Sequence, residues 1–285
     1  MKVVVISGKG GTGKTTLTSA YAALSKSVTV KVDCDVDASN LHLMFPTKVN
    51  HTYKFSGAKV IQVDEKKCMG CKKCVEVCRF GALTFNDGLI IDDLKCEGCG
   101  ACRWVCRASA LSLIKEITGD IMLEEMEKGF LSRAEMISGQ EGSGKLVAAV
   151  REQADDIGRM NQLLDGSPGV GCSVIASVTG TDYAVVVTEP TQSGIEDMKR
   201  VLELIKHFEV KPFVVINKYD LNHKKANDVK KLCLEKNIEV IGEIPFDGLV
   251  KDAINQGMPI IHFKESIAGQ AIKKSFEILK ERIGV

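Results

Sequence analysis

No apolar run in this chain approaches the length that crosses a bilayer, and the first apolar stretch, Val3 to Ile6, is too short for an export signal. Membrane insertion is therefore not expected, and a cytoplasmic location is. Excess charge is missing too. Lys and Arg number 38 against 37 Asp and Glu, a net +1, which leaves no electrostatic footprint for nucleic acid or an anionic membrane. Without export, disulfides have no oxidising compartment in which to form. Yet the 285 residues include 11 cysteines. Eight of them crowd between Cys68 and Cys106, leaving Cys34, Cys172 and Cys233 scattered. Thiols clustered in this way point to metal. Otherwise the composition, 45% hydrophobic and 26% charged, is that of a globular protein.

The chain opens as a βαβ unit: a β-branched run over Lys2 to Ser7, a Gly-rich turn, a helix over Thr15 to Ser25 and a buried strand over Val28 to Asp33. From about Asn50 to Ile114 large aliphatics thin out and cysteines appear. Glu116 to Lys145 is polar and punctuated by glycine, which suggests hairpins or loops at a junction. The α/β rhythm then returns. Strands are expected at Gln162 to Asp165, Tyr183 to Thr188, Pro212 to Asn217 and Val240 to Ile244. Helices are expected at Ser193 to Phe208, Lys224 to Lys236 and Ile267 to Arg282. This alternation predicts an α/β fold with a mostly parallel sheet covered on both faces. The expected organisation is a first part of that domain at 1–59, an inserted module at 60–115 and a second part at 116–285.

Gly8-Lys9-Gly10-Gly11-Thr12-Gly13-Lys14-Thr15 fits G-x-x-x-x-G-K-[ST] and lies between a predicted strand and a predicted helix. Glycines let the backbone curl until its N–H groups converge on phosphate oxygens, and the following helix adds its dipole. Lys14 is the expected partner of the β- and γ-phosphates. Thr15 is the expected Mg²⁺ ligand, and Thr16 extends the nucleotide-binding run. ATP with Mg²⁺ is the implied cofactor.

Lys9 is a second lysine inside the loop, where a generic P-loop needs none. Here the sequence resembles the deviant Walker A family, which includes MinD, ParA, the nitrogenase iron protein and the Mrp-type iron–sulfur carriers. The resemblance implies a homodimer on ATP binding, with Lys9 reaching the partner's nucleotide and stabilising phosphate charge in trans. It also implies that Asp35, in the segment Asp33-Cys34-Asp35-Val36-Asp37, orients or activates the attacking water. Asp165, in Asp-Gly-Ser-Pro-Gly, would hold Mg²⁺ through water, and Gly169 would offer an N–H to the γ-phosphate. Asn217 would recognise adenine and Pro245-Phe246 would pack on the ring. Cys172, seven residues after Asp165, occupies a place similar to a cluster ligand of the nitrogenase iron protein. A bridging cluster would need a second such cysteine, so Cys172 is read as a small buried residue near the dimer interface instead.

The eight clustered cysteines form two copies of one pattern. Cys68-x2-Cys71-x2-Cys74-x3-Cys78 recurs 28 residues later as Cys96-x2-Cys99-x2-Cys102-x3-Cys106, and KKCMGCKKCVEVCRFGALTF aligns with LKCEGCGACRWVCRASALSL. Three cysteines at this spacing wrap one corner of a cubane while the fourth reaches the other cluster. The ligand sets are then Cys68, Cys71, Cys74 and Cys106 for one [4Fe–4S] cluster, and Cys96, Cys99, Cys102 and Cys78 for the other. Paired zinc knuckles are the rival reading. The segment from about Asp64 to Ile114 resembles bacterial-type ferredoxins. It lacks the proline that normally follows the last cysteine of each motif, for which Arg79 and Arg107 stand here.

Together the two parts resemble MinD-superfamily ATPases with an inserted ferredoxin domain. That resemblance implies an ATPase that couples nucleotide-driven dimer closure to electron transfer with a redox protein partner. The alternatives are an iron–sulfur carrier of the Mrp type and a positioning ATPase of the MinD or ParA sort. The latter would need a membrane-binding C-terminal helix, whereas the helix expected at Ile267 to Arg282 is read as packing on the sheet. Two segments, 138–147 and 187–194, are placed by likeness without a chemical explanation.

Overall fold

The computed structural model of the chain describes residues 1–158 and 161–284, with side chains at all of these except 28 and 29. The elements in order begin with β1 (Lys2–Ser7), α1 (Lys14–Leu24), β2 (Val28–Asp33), β3 (Thr47–Phe55) and β4 (Ala58–Val63). Next come α2 (Lys73–Val77), β5 (Leu83–Phe85), β6 (Leu89–Ile91), α3 (Ala101–Val105) and β7 (Leu111–Glu116). Then follow β8 (Gly119–Met126), β9 (Gly129–Met136), α4 (Ser143–Asp156), β10 (Asn161–Pro168), α5 (Cys172–Val178) and β11 (Tyr183–Thr188). The chain closes with α6 (Gln192–His207), β12 (Lys211–Asn217), α7 (His223–Glu235), β13 (Glu239–Ile244), α8 (Leu249–Asn255) and α9 (Ile267–Ile283). None of the described helices is long and apolar enough to cross a membrane.

The chain divides into two compact units. One comprises Met1–Thr52, Ile121–Glu135 and Gly144–Val285; the other comprises Tyr53–Asp120 and Met136–Ser143. The segment 60–115 set apart in the sequence lies inside the second unit.

The main sheet runs β13-β12-β11-β1-β10-β2-β9-β8-β3. From β13 through β9 each successive pair of strands in that order is parallel. Such strands are covered on both faces, so they read as continuous apolar runs rather than alternating ones. Val3 to Ile6 and Ala184 to Val187 are accordingly buried along their whole length. Helix α6 buries Ile195, Met198, Val201, Leu202 and Ile205, the stripe its helical spacing predicts. Helix α9 buries Ala268, Ile272, Phe276 and Leu279 in the core shared with Leu17, Tyr21 and Phe213. Its apolar face is thus committed to the protein interior, as expected.

The polar stretch after Glu116 departs most from expectation. It does form a hairpin, β8 and β9, but the hairpin extends the main sheet beyond β2, and helix α4 begins at Ser143. Charge inside the strands disguised it. Arg133 and Glu124 are both buried, and Arg133 Nε donates to Glu124 Oε1 at 2.6 Å. A buried charge survives folding only when paired, so an ion pair across two strands looks polar in sequence and sits in the core.

In the second unit β4 pairs antiparallel with β7, and β5 with β6. The Asn86-Asp87-Gly88 turn joins β5 to β6, with Asp87 left-handed at φ 53°. The internal duplication is visible in the hydrogen bonding. Asp64 N–H donates to the Ala110 carbonyl at 2.7 Å, and Asp92 N–H donates to the Ala82 carbonyl at 2.8 Å. Each repeat therefore begins against the end of the other.

Candidate functional site

The Gly-rich loop leaves β1 and enters α1 through two left-handed glycines, Gly11 at φ 76° and Gly13 at φ 89°. The left-handed backbone at Gly13 favours glycine, and a Cβ there would also displace the Asn217 amide. Within the loop the Thr12 hydroxyl is buried and has no hydrogen-bond partner. A buried polar atom left in this state is a mark of a ligand-binding cradle.

Lys14 is almost fully buried beneath the loop. Its Nζ donates to Asp165 Oδ1 at 2.9 Å and lies 3.8 Å from Asp35 Oδ2. Asp165 sits within the buried run of β10, Gln162 to Ser167, and accepts also from Thr15 Oγ1 at 2.6 Å and Thr18 Oγ1 at 2.8 Å. Burial pulls the Lys14 ammonium toward deprotonation, but Asp165, Asp33 and Asp35 outweigh it and hold its pKa above the ordinary value. Burial raises the Asp35 carboxyl, against the opposing pull of Lys14. The loop lysine, the hydroxyl expected on Mg²⁺ and the two carboxylates expected around it therefore meet at one point. This donor set fits a magnesium–triphosphate group: a cation for phosphate oxygens, and hard oxygen ligands for the metal.

Asp33 has a different task. It is fully buried, and its carboxylate accepts from the backbone N–H groups of Asp35 (3.0 Å), Asn40 (3.1 Å) and Leu41 (3.0 Å) and from Ser39 Oγ (2.8 Å). It pegs the loop that presents Asp35. Burial and the nearby Asp165 both push its pKa up. Asp37 is exposed.

Three residues have surroundings that the sequence did not show. Asn217 Nδ2 donates to the Thr12 carbonyl at 2.8 Å and its Oδ1 accepts from Lys218 N–H at 3.0 Å. The amide thus braces the phosphate loop from the end of β12, while also lining a cavity of about 420 Å³ with Pro245, Phe246, Val250, Lys251 and Thr16. The Gly169 N–H donates to the Ser7 carbonyl at 2.9 Å instead of facing the loop. Cys172 is exposed in the single chain, at the start of α5. By contrast Cys34 is buried, and burial pushes its thiol up to about 12.

The segment 187–194 gains an explanation from the structure. Glu189, at the end of β11, faces Lys9 Nζ at 3.5 Å and Lys218 Nζ at 2.7 Å. Ser193 Oγ accepts from Lys9 Nζ at 3.4 Å. Thr191 caps α6 by accepting from Gly194 N–H at 2.9 Å. The loop after β11 therefore holds the second loop lysine and ties it to the residue beside Asn217. Sequence reasoning missed Glu189, since an acid after a strand carries no signal until its two lysine partners are brought together.

In the second unit none of the eight clustered cysteines forms a disulfide. Cys68, Cys71, Cys74 and Cys106 line one cavity together with Phe85 and Leu111. Three come from one repeat and the fourth from the other. Cys74, Cys78, Cys96, Cys102 and Cys106 pack into one apolar cluster around Ile61, Leu83 and Leu111. Ala110 N–H donates to Cys106 Sγ at 3.3 Å. Cys102 is raised by burial and feels the charges of Cys96 and Cys99, so that triple also stands close together. Among the described residues no three Cys, His, Asp or Glu side chains converge on the position of a single ion. A soft thiolate set around an apolar cavity, with a backbone N–H on one sulfur, fits an iron–sulfur core.

Residues 3–260 match the family described as the CobQ/CobB/MinD/ParA nucleotide binding domain. The chain is 35% identical over 286 residues to "Uncharacterized protein MJ0578" of Methanocaldococcus jannaschii, covering 99% of this chain and 98% of that protein. It is 24% identical to the iron-sulfur cluster carrier protein of Pyrococcus furiosus, covering 99% of this chain and 86% of that one. Among solved structures, MinD of Pyrococcus horikoshii complexed with Mg-ADP superposes with a TM-score of 0.59 at 18% identity, covering 100% of this chain and 98% of that chain. The cell division ATPase MinD of Pyrococcus furiosus gives the same TM-score over 98% of both chains. With a phosphate loop, a mostly parallel sheet and carboxylates gathered at the loop lysine, the chain belongs to the CobQ/CobB/MinD/ParA family of P-loop nucleotide-binding proteins.

Proposed function

We propose that this protein is an ATP-hydrolysing iron–sulfur protein in which a nucleotide-driven dimer closure governs electron transfer through two [4Fe–4S] clusters. The observation that carries the reading is the cavity lined by Cys68, Cys71, Cys74 and Cys106. Those four thiols are the set the crossed spacing requires, and they occur in a chain whose other unit builds a phosphate loop. Cys96, Cys99, Cys102 and Cys78 form the corresponding second set. When bound, such clusters supply one-electron storage at low potential. The inserted ferredoxin-like module is taken to span 60–115, between ATPase segments 1–59 and 116–285.

The residues of the nucleotide site divide the work. Gly8 to Gly13 curl around the phosphates, and the N-terminus of α1 favours their charge. Lys14 exchanges Asp165 for phosphate oxygens, which frees the carboxylate for the metal's water shell. Thr15 ligates Mg²⁺ directly. Asp35, held by the Asp33 peg, orients the attacking water. Asn217 keeps the loop in register and meets the base with its remaining donor and acceptor, with Pro245 beside the ring. Lys9 leaves Glu189 and stabilises developing charge on the partner subunit's nucleotide.

The deciding experiment is electron paramagnetic resonance of anaerobically purified, reduced protein with and without MgATP. Nucleotide-dependent cluster signals are expected. Identical spectra and potentials in both states overturn the coupling. A second reading, cluster delivery, draws on the likeness to proteins named iron-sulfur cluster carriers. Efficient ATP-dependent transfer of iron and sulfide to an apo-acceptor would replace electron transfer by that activity. A positioning role has less support, because α9 buries its apolar face in the core.

A further inference from the structure

The duplication makes the two cysteine loops directly comparable, residue for residue. Between Cys68 and Cys74 the loop carries Lys72 and Lys73 and no acid; between Cys96 and Cys102 the same places hold Gly100 and Ala101, and Glu97 stands where the first loop has Met69. The charge difference is not remote from the thiols. Lys72 and Lys73 line the cavity formed by Cys68, Cys71, Cys74 and Cys106. The Lys72 ammonium lies 5.3 Å from the centroid of the Phe85 ring, which lines that cavity too, so the cation is kept at the wall. Lys72 is also left-handed, at φ 57°, where its counterpart is Gly100 at φ 77°. A lysine therefore occupies a backbone conformation that favours glycine, at the place where the other repeat has one. Finally, Cys106 of the same set accepts the Ala110 N–H at 3.3 Å.

Reduction adds one negative charge to a cluster. Cations at its wall and N–H donors on its sulfurs stabilise the reduced form more than the oxidised one, and so raise the potential. Arg79 and Arg107 follow the last cysteines of the two repeats alike and cancel in the comparison. Two differences oppose the lysines, Arg103 at the place of Val75 and Glu76 at the place of Trp104, but both lie outside the loop and neither lines the cavity of Cys68, Cys71, Cys74 and Cys106.

We infer that the two cluster sites are unequal, and that Lys72 and Lys73 make the site of Cys68, Cys71, Cys74 and Cys106 the more easily reduced of the two. An electron delivered to the module comes to rest there. This rests on the two-cluster reading above, and iron analysis tests that reading separately.

The experiment is a stepwise anaerobic titration of the full-length holoprotein with dithionite, followed by electron paramagnetic resonance. Each step transfers one electron from the dithionite-derived SO₂ radical anion to one cluster, with no bond made or broken in the protein; the SO₂ formed hydrates to sulfite. Two separated waves are expected, the first site filling with a preference of about tenfold or more over the second, equivalent to ~59 mV for a one-electron couple. The double substitution Lys72→Gly, Lys73→Ala installs the other repeat's own residues. It is expected to move the higher wave toward the lower one at unchanged iron content. Lys73→Ala alone, which leaves the left-handed position untouched, moves it part of the way. Coincident waves in the natural protein, or movement of the lower wave instead, overturns the inference. So does a separation that survives both variants. Protein purified without iron and sulfide removes the two-cluster reading itself.

Discussion

Lys14 shows how one side chain can be specified by its surroundings before any ligand arrives. Buried between Asp165 and Asp35, it keeps its charge because carboxylates replace the lost water. The same arrangement presets it for phosphate. Lys14→Ala is expected to lower ATP hydrolysis by at least ~100-fold, the usual loss when a preorganised charge-stabilising group is removed, as read by phosphate release. Gly13→Ala tests the loop itself. The left-handed backbone and the displaced Asn217 amide together predict a loss of about 1–3 kcal/mol, seen as a lower midpoint of thermal unfolding. Lys31 offers a pH signature. Burial, with the charge of Lys128 nearby, depresses its pKa to about 8. Between about pH 8 and the ordinary lysine value near ~10.4, the unfolded chain holds a proton that the folded chain has released. The cost of holding its charge in the fold is therefore complete below that window and is relieved as pH rises across it, so stability rises with pH there. Lys31→Met is expected to flatten the rise in denaturation curves measured from pH 7.5 to 10.

Elements whose residues face a uniform environment were legible in the sequence. Strands β2 and β11 begin and end where their β-branched runs do, and α6 lies within a residue of its amphipathic stripe. Elements that mix environments were not. The hairpin of β8 and β9 hides a buried Arg133–Glu124 pair, and α4 begins in a glycine-rich stretch that reads as loop. The loop after β11 belongs to the same class, since the role of Glu189 exists only through Lys9 and Lys218. On the proposed mechanism Lys9 must leave Glu189 to reach a partner's nucleotide. Glu189→Gln is accordingly expected to let dimers form at several-fold lower concentrations of a slowly hydrolysed ATP analogue, measured by sedimentation velocity. An unchanged or weakened dimer would argue that Glu189 supports the closed state instead.

At the scale of the whole molecule, the phosphate loop and the eight clustered cysteines fall in two compact units of one chain. In the cysteine unit the crossing of the repeats has a direct consequence. Cys106 belongs by sequence to the second motif but lines the cavity of the first. On the proposed two-cluster reading, Cys106→Ala should therefore damage the cluster of Cys68, Cys71 and Cys74 while leaving the other. The iron content of the anaerobically purified variant is expected to fall from roughly eight toward roughly four atoms per chain. Loss of both clusters in equal measure would count against crossed ligation.

Local pattern was enough for everything that depends on neighbours along the chain. The phosphate loop needs its glycines and lysine within eight residues, the cysteine motifs need fixed short spacings, and parallel strands need continuous apolar runs. The sequence alone therefore determined the α/β fold, the phosphate loop and the duplicated thiol module. Only the tertiary structure decided which long-range partners complete each site. It made Asp33 a peg and Asp35 the presented acid, turned Asn217 into a brace for the loop, set Glu189 between two lysines and exposed Cys172. Those roles arise from contacts between residues tens to hundreds of positions apart, where burial, register and the paths of loops fix the partner and no local spacing records it.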